Sequence, residues 1–310
     1  MESTHSTTER RVKSSRYRRA EQPADLILQP RDVKMLMAVD DYRFLSRSQL
    51  QRLFFSGLHR ACRRLRQLYD HQYLDRLWVP RTALGLPDPV DEPLAITGSP
   101  PALYRLGRAG IPIVARAKDE DVEAVRQRVR ERPKPTIMAH DYLLNELRVQ
   151  TALAVASRPD LALELWLSGP ECFERYEHHD RESDRDATRV FNPDAFFRLT
   201  VGAGVAAVFV EIDLGTESIQ RRFKHKIWTY RTYVKSGQFR DKFGQSKFRI
   251  MVVTTSDRRI RNLGQVATEF NADKVFWFTT RDQLLATDDF LHAPIWQRPS
   301  FGALEPFLDS

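Results

Sequence analysis

The residues with the clearest chemical meaning lie between Asn192 and Tyr230. Pro193-Asp194 sits on one apolar segment, and Glu211-Ile212-Asp213 ends a second that runs from Val205 to Glu211. A helix-like stretch then brings Lys226 and Tyr230, which are four residues apart and so share a helical face. Three carboxylates at the ends of adjacent strands, with a cation nearby, suit the hydrolysis of a phosphodiester. Such acids hold a hard divalent ion, Mg2+ or Mn2+, through oxygen. The ion activates water and stabilises the charge that develops on phosphorus.

The flanking pattern supplies elements to position them. Helix-like and strand-like segments alternate as helix His140–Ala156, strand Leu161–Leu167, strand Val190–Leu199, strand Val205–Ile212 and helix Ser218–Val234. Strand Phe248–Thr254, helix Asp257–Phe270 and strand Lys274–Phe278 follow. Continuous apolar strands between helices predict a mixed sheet buried on both faces. The aromatic run Phe276-Trp277-Phe278 reads as a buried strand. Glu171 to Asp186 holds seven acids and three arginines with His178-His179. Its irregular spacing predicts a solvated loop, with a metal cluster the sharper alternative.

Charge divides the chain. Residues 1–116 hold 20 Lys+Arg against 12 Asp+Glu, whereas 117–310 hold 29 of each, so the whole net charge of +8 lies in the first third. A localised positive field fits binding of a polyanion. Met1 to Ala24, with Arg10-Arg11-Val12-Lys13 and Arg16-Tyr17-Arg18-Arg19, reads as a disordered basic arm that contacts phosphates or is an inert tail. Pro30 opens a first helix with Val33, Met35, Leu36 and Val39 as its stripe. Ser46 caps a second helix, Gly57 ends it, and His59–Leu68 makes a third. Strand-like Tyr73–Val79 and Ala102–Leu106 follow, joined by the Pro/Gly-rich segment Pro80–Pro101. Three helices and a hairpin describe a winged helix-turn-helix. Ala61, Leu65 and Leu68 mark the buried face of its third helix. Arg60, Arg63, Arg64 and Gln67 are the groove-facing candidates, because arginine reaches guanine bidentately and glutamine reads adenine. The partner this implies is double-stranded DNA.

Other classes are excluded or disfavoured. No apolar run approaches a membrane span, and the basic N-terminus lacks the apolar core of a secretory signal. Cys62 and Cys172 alone cannot form a disulfide framework, so a reducing cytoplasm is expected. The absence of a GxxxxGK[ST] loop removes support for an ATP-driven helicase.

The segment Arg31–Gly110 resembles the N-terminal half of the replication-relaxation family of plasmids and conjugative elements. The matching residues are Tyr42-Arg43-Phe44-Leu45, Ser48-Gln49-Leu50, Arg63-Arg64-Leu65, and Tyr104-Arg105-Leu106-Gly107 leading to Gly110. The likeness continues through His140-Asp141, Asn145-Glu146-Leu147-Arg148, Asn192-Pro193-Asp194-Ala195, Glu211–Glu217 and Lys226–Tyr230. The second half also looks like the PD-(D/E)XK nuclease fold. Asp213 stands where that pattern has lysine. The resemblance therefore implies a lysine supplied from the next helix, Lys226 before Lys224, to position the attacking water or to offset charge on the scissile phosphate. It implies Asp194 and Glu211 as metal ligands, Asp213 as a third carboxylate or orienting group, and Glu146 as a helix acid completing the metal shell. Glu217 and Gln220 stand further out, and His140 is expected as a helix cap. Arg231, Lys235, Arg240, Lys242 and Lys247, with Arg258, Arg259 and Arg261, are candidates to line a DNA channel.

The expected fold class is α/β, an N-terminal winged helix-turn-helix followed by a PD-(D/E)XK-like mixed-sheet domain. The expected divisions are an arm at 1–24, a DNA-binding domain at 25–116, a linker helix at 117–136, a nuclease-like domain at 137–285 and a tail at 286–310. Three functions remain open. One is a DNA-binding protein of a mobile element that nicks or holds its site. Another is an initiator or regulator whose second half serves as a scaffold or homodimer module. The third is a restriction-like nuclease that cuts both strands.

Overall fold

The computed structural model describes residues 18–86, 102–131, 134–180, 185–215, 219–300 and 302–308, and the chain divides into two compact units at Pro135. In the first unit, α1 (Pro30–Asp41) starts at a proline whose fixed φ suits the first turn. Helix α2 (Arg47–Phe54) follows the two-residue strand β1 (Leu45–Ser46). The Ser46 amide donates to Gln49 Oε1 at 2.9 Å, and the Gln49 amide donates back to Ser46 Oγ at 3.2 Å, closing a capping box. Helix α3 (Leu58–Asp70) buries Ala61, Leu65, Leu68 and Tyr69. Strands β2 (Leu74–Trp78) and β3 (Ala102–Leu106) pair antiparallel, and β3 also takes β1, giving the order β1-β3-β2. A Cβ at Gly107 would lie 2.2 Å from the Gln72 carbonyl oxygen, so the crossing of chain below this hairpin admits only glycine.

Two boundaries move. Part of the expected arm, residues 18–24, lies against α3 and β2. The Arg66 guanidinium donates to the Arg18 carbonyl at 2.9 Å and the Ala20 amide to Asp70 Oδ1 at 3.0 Å. Residues 1–17 lie outside the described residues. The expected linker at 117–136 contains the end of one helix, α4 (Ile111–Lys118), and a second, α5 (Val122–Arg130), both fastened to α1. Asp40 of α1 accepts from Lys118 at 2.6 Å and from Arg128 at 2.8 Å. Two basic residues of the expected linker, Lys118 and Arg128, thus fasten it to the first helix.

The second unit opens with α6 (Pro135–Ser157) and β4 (Leu161–Ser168). The acidic stretch expected as a loop is an antiparallel hairpin, β5 (Glu174–Asp180) with β6 (Arg185–Phe191). The single strand expected from Val190 to Leu199 is two, because Pro193 has no amide hydrogen to continue a ladder. β6 ends before it, and β7 (Ala195–Val201) begins after it in a different sheet. β8 (Gly204–Ile212) follows, and after a π-helical turn at Ile219–Phe223 come α7 (Lys224–Lys235) and α8 (Gln238–Phe243). β9 (Arg249–Thr254), α9 (Asp257–Glu269), β10 (Phe276–Thr280) and α10 (Arg281–Leu285) continue the alternation.

The expected tail is the edge of the sheet. β11 (Trp296–Gln297) and β12 (Leu304–Glu305) complete a seven-stranded mixed sheet of order β12-β11-β10-β9-β8-β7-β4, parallel across β8-β9-β10. Trp296 is fully buried and its indole N–H donates to the Phe290 carbonyl at 2.7 Å. Both faces are covered, which is why the strands read as continuous apolar runs. Phe196, Phe209, Val252 and Phe278 pack on one side with Ile227, Tyr233, Phe239 and Leu263 of α7, α8 and α9. Phe197, Val208, Val210 and Val253 pack on the other with Leu143 and Leu147 of α6 and the C-terminal Trp296 and Phe307. Among the described residues no helix is long and apolar enough to cross a membrane.

Candidate functional site

The chain break at Pro193 leaves Asp194 at the start of β7, and the pairing Ala195↔Val210, continued by one step, sets it opposite Glu211 at the end of β8. Asp194 Oδ2 accepts the Ile212 amide at 2.7 Å, which ties the two strand ends together. The same carboxylate is 3.1 Å from His140 Nε2, and His140 Nδ1 is 3.2 Å from Asp141 Oδ1. Helix α6 begins five residues before His140, so that residue lies inside the helix and touches the site rather than capping it. Burial disfavours a charged ring. The hydrogen bonds and negative charge of Asp141 and Asp194 outweigh it and raise the imidazole to about 10. Burial likewise opposes ionisation of Asp194, yet His140, the charge of Lys226 and the Ile212 amide hold its carboxyl below the ordinary aspartate range.

Glu211 is buried, and both its oxygens are engaged. Lys226 Nζ donates to Oε2, and the Tyr230 hydroxyl donates to Oε1 at 2.7 Å. One turn of α7 separates the two donors, so one helix face supplies both. Lys224 points elsewhere, its ammonium 5.6 Å from the centre of the Phe270 ring. Burial pushes the Glu211 carboxyl up to about 7. The Lys226 ammonium opposes this and the charge of Asp194 adds to it. Burial and the adjacent Glu211 hold the Tyr230 phenol well above its ordinary value.

The two other acids expected here have different partners. Asp213 is gripped by Arg259 of α9 through two hydrogen bonds, 2.6 Å to Oδ2 and 2.8 Å to Oδ1, and also accepts from Thr254 Oγ1 at 3.3 Å and the Gly215 amide at 3.1 Å. That fork fastens the end of β8 to α9. Glu146 follows His140 by six residues, a rotation of about 240° around the helix, so the two lie on different helix faces. It is buried and accepts from Gln150 at 3.0 Å, whose side chain also binds the Leu284 and Thr287 carbonyls and the Phe290 amide. Among the described residues no three His, Cys, Asp or Glu side chains converge as a metal-binding group. The residues here that could hold a cation are two carboxylates, Asp194 and Glu211. That set suits Mg2+, which commonly keeps several waters and binds through one or two carboxylates plus substrate phosphate. Glu217 and the side chain of Gln220 lie outside the described residues.

Glu211, Lys226 and Tyr230 open into a cleft of about 610 Å3, whose wall includes Asn192, Pro193, Arg221, Arg222 and His225. Sequence reasoning missed these two arginines as site residues. Their signal was the run Arg221-Arg222 one helical turn before Lys226, in a π-helical turn of the kind often found at functional sites. A larger groove of about 1050 Å3 lies at the other ends of the strands, by Val205, Arg249 and Val275. Arg231, Lys235 and Lys247 line that groove, not the carboxylate cleft. Lys242 is paired with Glu174.

In the first unit, Arg60 and Arg63 of α3 are exposed. Arg64 is not: its Nε donates to Asp32 Oδ1 at 2.9 Å, a second nitrogen binds the other oxygen of Asp32, and the Ile27 carbonyl accepts at 2.8 Å. Asp32 is fully buried and also accepts the Gln29 amide at 2.7 Å, so this arginine joins α3 to the start of α1. Gln67 accepts from Arg64 at 3.2 Å.

A family model described as replication-relaxation matches residues 36–246, more than half of the chain. No curated protein and no solved structure matches.

Proposed function

The chain belongs to the replication-relaxation family, and from that premise we propose that it binds DNA of a plasmid or other mobile element and cuts one strand there with the help of a divalent ion. Family membership supports a role in the replication or relaxation of such DNA. The observation that carries the cleavage half is the meeting of Asp194 and Glu211 at neighbouring strand ends, where Glu211 and its partner Lys226 open into a cleft walled by arginine.

The first unit acts as a winged helix-turn-helix on double-stranded DNA. Helix α3 enters the major groove, with Arg60 and Arg63 toward bases or phosphates, and the β2–β3 hairpin serves as the wing. Arg64 and Gln67 act by holding that helix in place. The second unit acts as a PD-(D/E)XK-like core. Asp194 and Glu211 would hold Mg2+ or Mn2+, which when bound supplies water activation and neutralises charge at phosphorus. Lys226 orients the attacking water or offsets charge on the scissile phosphate. Arg221 and Arg222 draw the phosphates into the cleft. His140 fixes Asp194, and Tyr230 fixes Glu211. The Tyr230 oxygen is buried and its proton is given to a carboxylate, which disfavours its use as a covalent nucleophile.

The test is purified protein with supercoiled plasmid carrying its native flanking DNA, in Mg2+ or Mn2+, beside Glu211→Gln and Lys226→Ala. Nicked circles made by the wild type and lost with Glu211→Gln support the proposal. Lys226→Ala should cost about 10²–10³ in rate, the usual size for one preorganised charge donor. Linear product as the first species would turn the reading toward a restriction-like nuclease. A retarded band without product in either metal would overturn cleavage and leave a DNA-binding initiator.

A further inference from the structure

Resting on the cleavage reading above, we infer that the cleft takes an unpaired DNA strand, one base of which stacks on a platform formed by Trp228 and His225. Trp228 projects from the outer face of α7 and is 39% exposed, whereas Ile227, Tyr230 and Tyr233 of the same helix are buried. Its ring stacks on His225 with centroids 5.8 Å apart and planes 24° from parallel. The guanidinium of Arg189, from β6, lies 4.7 Å from the centre of the same indole. Arg189 and His225 thus pack against the indole from two elements and leave part of it exposed.

This surface continues into the site. His225 lines the cleft that holds Glu211 and Lys226, and so do Arg221 and Arg222 one turn earlier. Val190, next to Arg189, is 48% exposed and lines the same cleft. Cations that track phosphates beside aromatic faces that receive bases are the combination by which proteins hold single strands. A duplex would use only the cations, since its base faces are covered by their neighbours. Unpaired bases use both. A base seated on His225 and Trp228 brings its own backbone past Arg221 and Arg222 toward Glu211, which makes a melted stretch, not intact duplex, the form that is cut.

The full-length protein is titrated with a short labelled single strand and with the same sequence as a duplex, using wild type, Trp228→Ala, His225→Ala and Trp228→Phe. Loss of the indole should weaken single-strand affinity about tenfold, within the range for one stacked base, and leave duplex affinity unchanged. Phenylalanine should restore most of the loss, and unchanged duplex affinity and melting temperature in the alanine variant separate stacking from a packing defect. Cleavage dependent on Glu211 should favour a bubble substrate over intact duplex. Unchanged single-strand affinity in both alanine variants, or equal cutting of bubble and duplex, would overturn the inference while leaving the nuclease reading standing. Trp228-dependent single-strand binding without any metal-dependent product would do the reverse.

Discussion

Replacing Arg64 with alanine should unfold the first unit at a lower temperature without acting as a direct DNA contact is expected to act. The carboxylate of Asp32 is fully buried, and the Arg64 side chain is only 13% exposed, so the pair is one of the better shielded in the protein. Removing one partner of such a pair costs about 3–5 kcal/mol, because the remaining charge has neither water nor counter-ion. The Gln29 amide still donates to Asp32, which sets the expectation at the low end, about 3 kcal/mol. At roughly 4 °C per kcal/mol for a unit of this size, calorimetry should show its transition fall by about 12 °C. Arg63→Ala, by contrast, should move the transition little, within about 0.5 kcal/mol, since Arg63 is exposed. It should weaken duplex binding by about 1–3 kcal/mol and flatten its salt dependence. The double variant Asp32→Ala, Arg64→Ala should be less destabilised than the sum of the single changes, because neither charge is then left alone. If Arg64→Ala melts with the wild type and loses affinity as Arg63→Ala does, the guanidinium is in the groove and the clamp argument fails.

Trp296→Ala should destabilise the second unit by about 3–5 kcal/mol in urea denaturation, since the ring is fully buried and its N–H is bonded; a dispensable tail would show no change. Asp213→Asn should loosen the β8–α9 junction by about 1–3 kcal/mol and keep most of the cleavage rate. A collapse of cleavage to the level of Glu211→Gln, with the fold intact, would make Asp213 a direct participant. His140 titrates near 10 in the folded protein against an unfolded value of about 6.5. Its charged form therefore stabilises fully below about pH 6.5, and that contribution is lost as pH rises through about 10. The stability gap between wild type and His140→Gln should be widest near pH 6 and close toward pH 10; a gap independent of pH would mean the ring is held neutral.

The grouping of Asp194, Glu211, Lys226 and Tyr230 was legible because its signals are local. Asp194 follows a proline that must end a strand, Glu211 closes an apolar run, and Lys226 and Tyr230 share a face by helical period. The alternation of apolar strands with helices was enough to predict a sheet covered on both faces. The acidic hairpin was not, because β5 and β6 pair with each other across a charged sequence whose pattern resembles a solvated loop. The last two strands are two residues each, too short to carry any period, and they exist by pairing, β11 with β10 and β12 with β11.

Local chemistry thus settles which segments become strands and helices, and where charged residues fall along them. It cannot choose among partners that lie far apart in the chain. Asp213 and Glu211 are two residues apart on one strand end and look equivalent in sequence. One faces Lys226 and Tyr230 in the cleft, while the other is taken by Arg259, 46 residues on. Arg63 and Arg64 are neighbours, yet only Arg64 meets a buried carboxylate, 32 residues earlier. His140 has one acidic partner beside it in sequence, Asp141, but its second, Asp194, comes from more than fifty residues away. A carboxylate or guanidinium satisfies the nearest desolvated counter-charge, and that neighbour exists only once the layers have packed.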